Sequence, residues 1–357
     1  MFLKWVLNAI PIPDYLSMPA IGIDLSDRSL KFVQFSQKRG NLTVSGFGSR
    51  IIPKGFIESG EIHQKENFIK FLKSLKKELK INFINVALPE EKAFLSRIVL
   101  PFLKEEEIRD ALELQLEEHI PLSVENAIFD FEIIGMRNNN SLLVNLSAMP
   151  KNLIENYRDV FVAAGMLPLT FEIESQALAR AVIPQGNKES VLLIDFGAAR
   201  VTSAIIENNK IHFTSTIHIG GDDLTLTLSK DLSLDFSEAE EIKRTKGLIK
   251  KKGNEKIFDS LLPIIAAVKD EIKKHILYWD SRMSGDEESD VLKKIIICGG
   301  GANLLGLPEY LSYELKLPVE RANPWVNIVS FEEKIPEIEY KESLIYATAL
   351  GLVLKSL

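Results

Sequence analysis

Twelve residues near the start of the chain, Ile21–Phe32 (IGIDLSDRSLKF), align without a gap on Leu192–Ser203 (LLIDFGAARVTS), 171 residues later. Each copy is an apolar run that ends in an aspartate, Asp24 or Asp195, followed by a tight turn and a second apolar run. Four apolar residues in a row, Val191–Ile194, make the pattern of a strand buried on both faces, and the short turn after Asp195 makes a hairpin. Two such hairpins at one offset constrain the fold: a duplication is expected, with two similar α/β halves that each present an aspartate at the mouth of a turn. Length agrees, since 357 residues suit two domains at ~150 residues each. A carboxylate so placed reaches a magnesium ion through its waters, while turn N–H groups face phosphate oxygens. The plain alternative is an ordinary Asp-x-Gly hairpin.

Composition removes several other classes. With 46% hydrophobic and 26% charged residues the chain has globular values and no disordered block. The net charge of −7, with no basic stripe interleaved with aromatics, disfavours a nucleic-acid partner. Cys298 is the only cysteine, so no internal disulfide and no cysteine-built zinc site are expected, which suits a reducing cytoplasm. Met1–Pro19 gathers Phe2, Leu3, Trp5, Val6, Leu7 and Ile10 ahead of Pro11 and Pro13. It is too short for a transmembrane segment, which needs ~20 apolar residues, and has no signal-peptide cleavage pattern. It reads either as an arm packed on the domain or as a weak interfacial foot with Trp5 at the headgroups.

Between the repeats, Leu42–Ile52 reads as a strand, Gly60–Lys80 as a helix and Val86–Leu88 as a strand closed by Pro89. A segment of another character follows: strand Ser96–Pro101, helix Lys104–His119, then strands Ile128–Ile134 and Leu142–Ala148 about a turn at Asn138–Asn140. Ile108, Leu112 and Leu116 form one apolar line at helical spacing, behind an acidic first turn. Asn152–Ala164 and Ser175–Val182 read as helices on either side of strand Leu167–Glu172. After the second hairpin come a strand Ile211–Ile219, helices from Leu224 and Ser237, and a long helix Phe258–Met283 begun or interrupted by Pro263, closed by the acidic turn Gly285–Asp290. A buried strand Ile295–Ile297 then runs into Gly299-Gly300-Gly301-Ala302, a helix follows over Asn303–Leu315, and Glu342–Leu354 closes the chain as a helix whose Ala347, Ala349 and Gly351 allow close packing.

Two aspartate hairpins and a late glycine loop, in that order, resemble the nucleotide-binding superfamily of actin, the heat-shock chaperones and the sugar kinases. Ser96–Ile134, with Leu116-Glu117-Glu118-His119-Ile120-Pro121, and the phrases Gly220-Gly221-Asp222-Asp223 and Ala239-Glu240-Glu241-Ile242-Lys243 resemble PilM, a family of actin-like type IV pilus assembly proteins, from about Ala20 to Leu357. The resemblance implies a duplicated actin-like (ribonuclease H-like) α/β fold: an arm at 1–19, a first half at 20–95, an inserted SHS2 (1C) subdomain at 96–149, the rest of the first half with its connecting helix at 150–183, a second half at 184–341 and a second connecting helix at 342–357.

It also implies ATP and Mg2+. Asp24 and Asp195 would face the metal, with Ser26, Asp27, Arg28 and Lys31 on the first hairpin and Gly197, Ala198 and Thr202 on the second. Gly220, Gly221, Glu240 and Lys243, together with Gly299, Gly300, Gly301 and Ala302, would border the adenosine. Glu174, ahead of a connecting helix, stands where chaperone relatives keep an acid that orients water, although the helix dipole explains a glutamate there equally well. Asp27 departs from the small residues usual after the first Asp, so slow or absent hydrolysis is expected, with Arg28 offsetting the charge. By the same resemblance the partners are the cytoplasmic N-terminal tail of a PilN-like inner-membrane protein, laid between the first half and the inserted subdomain, and other pilus assembly components. Self-association as a homo-oligomer stays open, and the protein would be cytoplasmic and recruited to the inner face of the membrane. Two other readings compete, an FtsA-like division protein and a small-molecule kinase of the same superfamily; no stretch in the first half supplies the catalytic Asp that a kinase needs.

Overall fold

The computed structural model describes residues 20–38, 41–137, 141–283, 291–329 and 334–356. The arm at Met1–Pro19 and the turns at Asn138–Asn140 and Gly285–Asp290 lie outside them. The first half is built on a five-stranded sheet in the order β10-β6-β1-β2-β3. Its strands are β1 (Ala20–Leu25), β2 (Ser29–Lys38), β3 (Asn41–Ile51), β6 (Phe83–Leu88) and β10 (Leu167–Ile173). The second half repeats it as β13-β12-β11-β14-β15, from β11 (Val191–Phe196), β12 (Val201–Glu207), β13 (Lys210–Ile217), β14 (Lys294–Cys298) and β15 (Val319–Arg321). In each, the aspartate strand pairs antiparallel with the strand after it and parallel with a strand that arrives later, β6 for β1 and β14 for β11. The duplication in sequence is thus a duplication in topology.

A small ladder, β4 (Ile57–Glu58) with β5 (Glu61–Ile62), stands where the sequence suggests the start of a helix. Ser59 and Gly60 adopt left-handed backbone there, and the helix α1 begins only at Lys65 and runs to Leu79. Phe68, Leu72 and Leu75 of α1 are buried with Tyr157 and Phe161 of α3 (Lys151–Ala163) against the first sheet. Between β6 and α3 a separate three-stranded sheet, β7-β9-β8, is formed by β7 (Phe94–Pro101), β8 (Ala127–Arg137) and β9 (Ser141–Pro150). The apolar line Ile108, Leu112 and Leu116 of α2 (Glu105–His119) is fully buried against it, giving the unit a core of its own.

The halves are joined by helices that cross at backbone contact. A Cβ at Gly351 would lie 1.7 Å from the Ala177 carbonyl oxygen, and one at Gly22 would lie 2.1 Å from that of Ala349. No side chain fits at either place, so α4 (Glu174–Val182) and the last helix are held against each other and against β1. Asn85 of β6 donates to Leu352 O at 2.9 Å and fastens the end of that helix.

In the second half, α5 (Gly221–Leu232) and α6 (Phe236–Lys246) precede a 29-residue α7 (Glu255–Met283) that keeps Pro263 in its interior and is unbroken by it. Two expected helices are divided. Asn303–Leu315 breaks at Gly306, with a left-handed φ of 82°, so that α8 covers Leu307–Leu315 only. Glu342–Leu354 becomes α9 (Tyr340–Ser343), one 3-10 turn at Leu344–Tyr346, and α10 (Ala347–Leu354). The reason lies at Leu344 O, which accepts the Gly299 N–H at 3.2 Å and the Cys298 thiol at 3.3 Å. A carbonyl claimed from outside is lost to the α-helical ladder, and the turn tightens.

Candidate functional site

The two hairpin turns face each other across a cleft of about 260 Å3, closed at one side by Gly299 and Gly300 and at another by Leu344, Ile345 and Thr348. Asp24 and Asp195 both line it. Each stands opposite a residue of its partner strand in register, Asp24 opposite Lys31 and Asp195 opposite Thr202. Side chains opposite each other in a ladder share a face of the sheet, and the Lys31 ammonium accordingly donates to Asp24 Oδ2 at 2.8 Å. Burial works against that ammonium, but Asp24, with Asp195 and Glu174 farther off, holds it above its ordinary value. Burial pushes the Asp195 carboxyl up to about 6, with Lys31 and Arg200 opposing the rise and Asp24 adding to it.

The second turn is closed by its own backbone, Gly197 N–H donating to Arg200 O at 2.9 Å. The first is closed by a side chain as well: Ser26 Oγ and the Ser26 N–H both donate to Ser29 O, at 3.1 and 2.9 Å. Asp27 does not crowd the cleft. Its carboxylate points away, accepting the N–H groups of Ser59 and Gly60 at 3.0 Å each, and it lies 3.6 Å from Arg200. Nor does Arg28 offset it, because Arg28 pairs with Asp222 at 2.7 Å. The charge foreseen beside a terminal phosphate is therefore bound to the β4–β5 turn, whose left-handed pair at Ser59 and Gly60 offers it two adjacent amides.

Several residues expected around a nucleotide instead brace the second turn from behind. Gly221 N–H donates to Gly197 O at 3.0 Å and Asp222 N–H to Ala198 O at 2.8 Å, so the start of α5 is docked on the turn. A Cβ at Gly220 would meet Ala198 O at 2.3 Å. Lys243 donates to Gly221 O at 2.9 Å and to Thr225 Oγ1 at 2.8 Å, and pairs with Glu240 at 2.6 Å. In the glycine loop, Gly299 passes beside Asp195 and Gly301 under the Phe196 ring, where a Cβ would stand 2.2 Å and 2.5 Å from them, and Ala302 is buried. The cleft is thus lined by Asp24, Ser26, Arg28 and Lys31 from one hairpin, by Asp195, Gly197, Ala198 and Thr202 from the other, and by Gly299 and Gly300. Asp27, Glu174, Gly220, Gly221, Glu240, Lys243, Gly301 and Ala302 are not part of that lining.

Glu174 opens α4, half-buried. Burial drives its carboxyl well above the usual carboxylate range, against Arg200 and with Asp24, Asp195 and Glu90 adding to the rise. Sequence reasoning missed Arg200, which lines the cleft from the end of the second turn and pairs with Glu91. A signal was present, since it is the one cation of the second turn. Leu344, Ile345 and Thr348 carried none, because nothing local ties them to the hairpins.

Among the described residues no group of three or more His, Cys, Asp or Glu side chains gathers as a metal cage. Two carboxylates facing one cleft suit a magnesium ion that keeps most of its waters and takes the rest of its ligands from phosphate. A second concavity, about 750 Å3, lies between β10, β8 and the β12–β13 hairpin. β8 and β10 each end their sheets, and Ile128, Phe129 and Phe131 line the groove from β8. On its floor Glu172 pairs with Arg180 and, at 3.3 Å, with Lys355. Arg109 stands over the Phe129 ring at 4.9 Å.

Residues 22–357 match the family described as type IV pilus assembly protein PilM. The chain belongs to that family. The solved PilM-PilN type IV pilus biogenesis complex shares its fold over 95% of this chain and 98% of that one, with a TM-score of 0.77 and 22% identity. MreB 5 of Spiroplasma citri bound to AMPPNP shares the actin-like architecture at a TM-score of 0.54 and 16% identity, over 93% of this chain and 94% of that one. The cell division protein FtsA of Enterococcus hirae is 30% identical over 95 residues, which are 26% of this chain and 22% of FtsA. The chain therefore spans about a fifth of the length of the curated relatives it matches, while the PilM family covers both halves and the inserted unit, which decides between the pilus and division readings. Among the described residues no helix is long and apolar enough to cross a membrane.

Proposed function

We propose that this pilus assembly protein binds Mg-ATP in the cleft between its hairpins and docks the N-terminal tail of a PilN-like membrane protein in the groove beside β8, so acting as an ATP-binding scaffold at the inner face of the membrane. One observation carries the nucleotide reading: two carboxylates from separate halves, Asp24 and Asp195, converge on one cleft beside Gly299 and Gly300. Asp24 and Asp195 would hold the ion's water shell, Ser26 and the second turn would receive phosphate, and the bound ion would supply charge neutralisation. Gly300 has room, a Cβ there meeting only Ile345 at 3.7 Å, and it gives the base its approach. Gly220, Gly221, Glu240 and Lys243 serve by holding the second turn in place, Gly301 and Ala302 by seating the loop under Phe196.

Calorimetry with Mg-ATP tests this. Asp195→Ala and Gly300→Val should each weaken binding by ~1–3 kcal/mol; unchanged affinity in both places the site elsewhere. Hydrolysis should be slow, below about 1 s⁻¹, at the low end of enzyme rates. Asp27 is not the reason, since its carboxylate is bound to the β4–β5 turn; Glu174 lies outside the lining of the cleft and is not placed to orient water there. For the tail, a strand laid along a free sheet edge gains main-chain hydrogen bonds and buries alternate side chains, which suits the edge of β8 and its apolar lining. Ile128→Glu should abolish capture of the tail peptide while leaving ATP binding intact, and a variant that still captures it would move the docking surface.

A further inference from the structure

Each hairpin turn carries one arginine, and each arginine is anchored on an acid of the opposite half. Arg28 of the first half pairs with Asp222 of the second, and Arg200 of the second pairs with Glu91 and lies near Asp27 of the first. The two contacts differ in burial. The Arg28 side chain is 55% exposed, whereas those of Arg200 and Glu91 are 10% and 6% exposed. Charges withdrawn from water interact several times more strongly than charges at the surface, so of the two arginines at the phosphate end of the cleft the dominant one is Arg200, held by Glu91 and 3.6 Å from Asp27. Lys31 is held on Asp24.

The acids that hold Arg200 are placed to release it. Asp27 keeps two amide donors whether or not the guanidinium is there. Glu91 lies in the short turn Glu90–Lys92 that leads from β6 into β7, the root of the inserted unit, with His218 3.9 Å away as a second basic neighbour. Next to it Glu90 accepts the Ser175 N–H at 3.0 Å, at the start of α4. A guanidinium matches phosphate in a two-pronged geometry, and phosphate brings more charge than one carboxylate.

We propose that Arg200 is the residue by which this cleft tells a nucleoside triphosphate from a diphosphate: the terminal phosphate takes the guanidinium from Glu91, and the turn at the root of the inserted unit loses its anchor. This rests on the nucleotide reading above. Mg-ATP and Mg-ADP are titrated by calorimetry into the full chain, its Arg200→Ala, Glu91→Gln and Arg28→Ala variants, with a melting curve for each. The unaltered protein should prefer ATP by about tenfold or more, the scale of one charge-assisted fork. Arg200→Ala should bring that ratio close to one by weakening ATP alone. Glu91→Gln, which removes the competing charge and keeps the shape, should raise the ratio. Arg28→Ala should shift both nucleotides by the same factor.

An unchanged ratio in Arg200→Ala, or a collapse in Arg28→Ala instead, overturns the assignment. If Arg200→Ala does not fold, Glu91→Gln decides, and a ratio unmoved there overturns it equally. An unaltered chain that binds both nucleotides with equal affinity overturns this inference alone, and one that binds neither overturns the nucleotide reading with it.

Discussion

Asp24 and Asp195 hold equivalent places in the two halves, each at the end of an apolar strand and each facing its partner strand in register. Opposite Asp24 is Lys31, 2.8 Å away; opposite Asp195 is Thr202, which carries no charge. The first carboxylate therefore has its counter-ion built into the hairpin, and the second is left with burial, which pushes it up to about 6. The strands differ likewise. Gly22 lets α10 lie against β1, while the aligned Leu193 fills the core of the second half. Duplication kept the backbone plan, and the two copies differ in what they carry: one accepts the last helix and pairs its carboxylate with Lys31, the other has no cation opposite its carboxylate in the ladder.

Exchanging residues between the copies breaks the comparison at its strongest point first. Gly22→Leu, which writes the second strand's residue into the first, leaves no room for the Ala349 carbonyl and should cost more than about 4 kcal/mol, beyond ordinary overpacking. Urea denaturation would show it, or the protein would fail to accumulate folded. Lys31→Met should cost about 3 kcal/mol, because a mostly buried carboxylate loses its cation. Its mirror, Thr202→Val, should cost under about 1 kcal/mol. Equal costs would mean that the hairpins are electrostatically alike after all.

Asp195→Asn sharpens the contrast through pH. The folded chain keeps a proton at Asp195 up to about pH 6, whereas an unfolded aspartate loses it near pH 4. In that window the native state binds more protons, so stability falls as pH rises through it and the loss is complete above. The variant should match the parent near pH 4 and exceed it by about 1–2 kcal/mol at pH 7.5 in metal-free buffer, a figure reduced for partial exposure. Melting in EDTA across pH 4–8 checks it, and a gap that does not widen with pH refutes it. A further exchange between the turns is Asp27→Ala, which copies Ala198 into the first. Losing two amide contacts to the β4–β5 ladder should cost about 1–2 kcal/mol; the carboxylate faces away from the cleft, so Mg-ADP affinity should stay unchanged within error, while Mg-ATP should gain slightly from the loss of a competitor for Arg200.

Much of this protein was legible in the residues because it is local. The strand–Asp–turn repeat, the line Ile108, Leu112 and Leu116, and the small residues of the last helix each act within one element, where spacing alone fixes which side is apolar and how near a neighbour can come. Those features gave the duplicated fold, the inserted unit and both aspartates of the cleft. What the tertiary structure decided were contacts between groups far apart in the chain. Asp27 turns from the cleft because two amides 32 and 33 residues on are brought to it. The closing helix breaks at Leu344 because a thiol 46 residues earlier takes its carbonyl. Arg200 finds Glu91 only when the halves meet. A polar side chain goes to whichever partner the fold delivers, and periodicity in a sequence records burial, not the address of that partner.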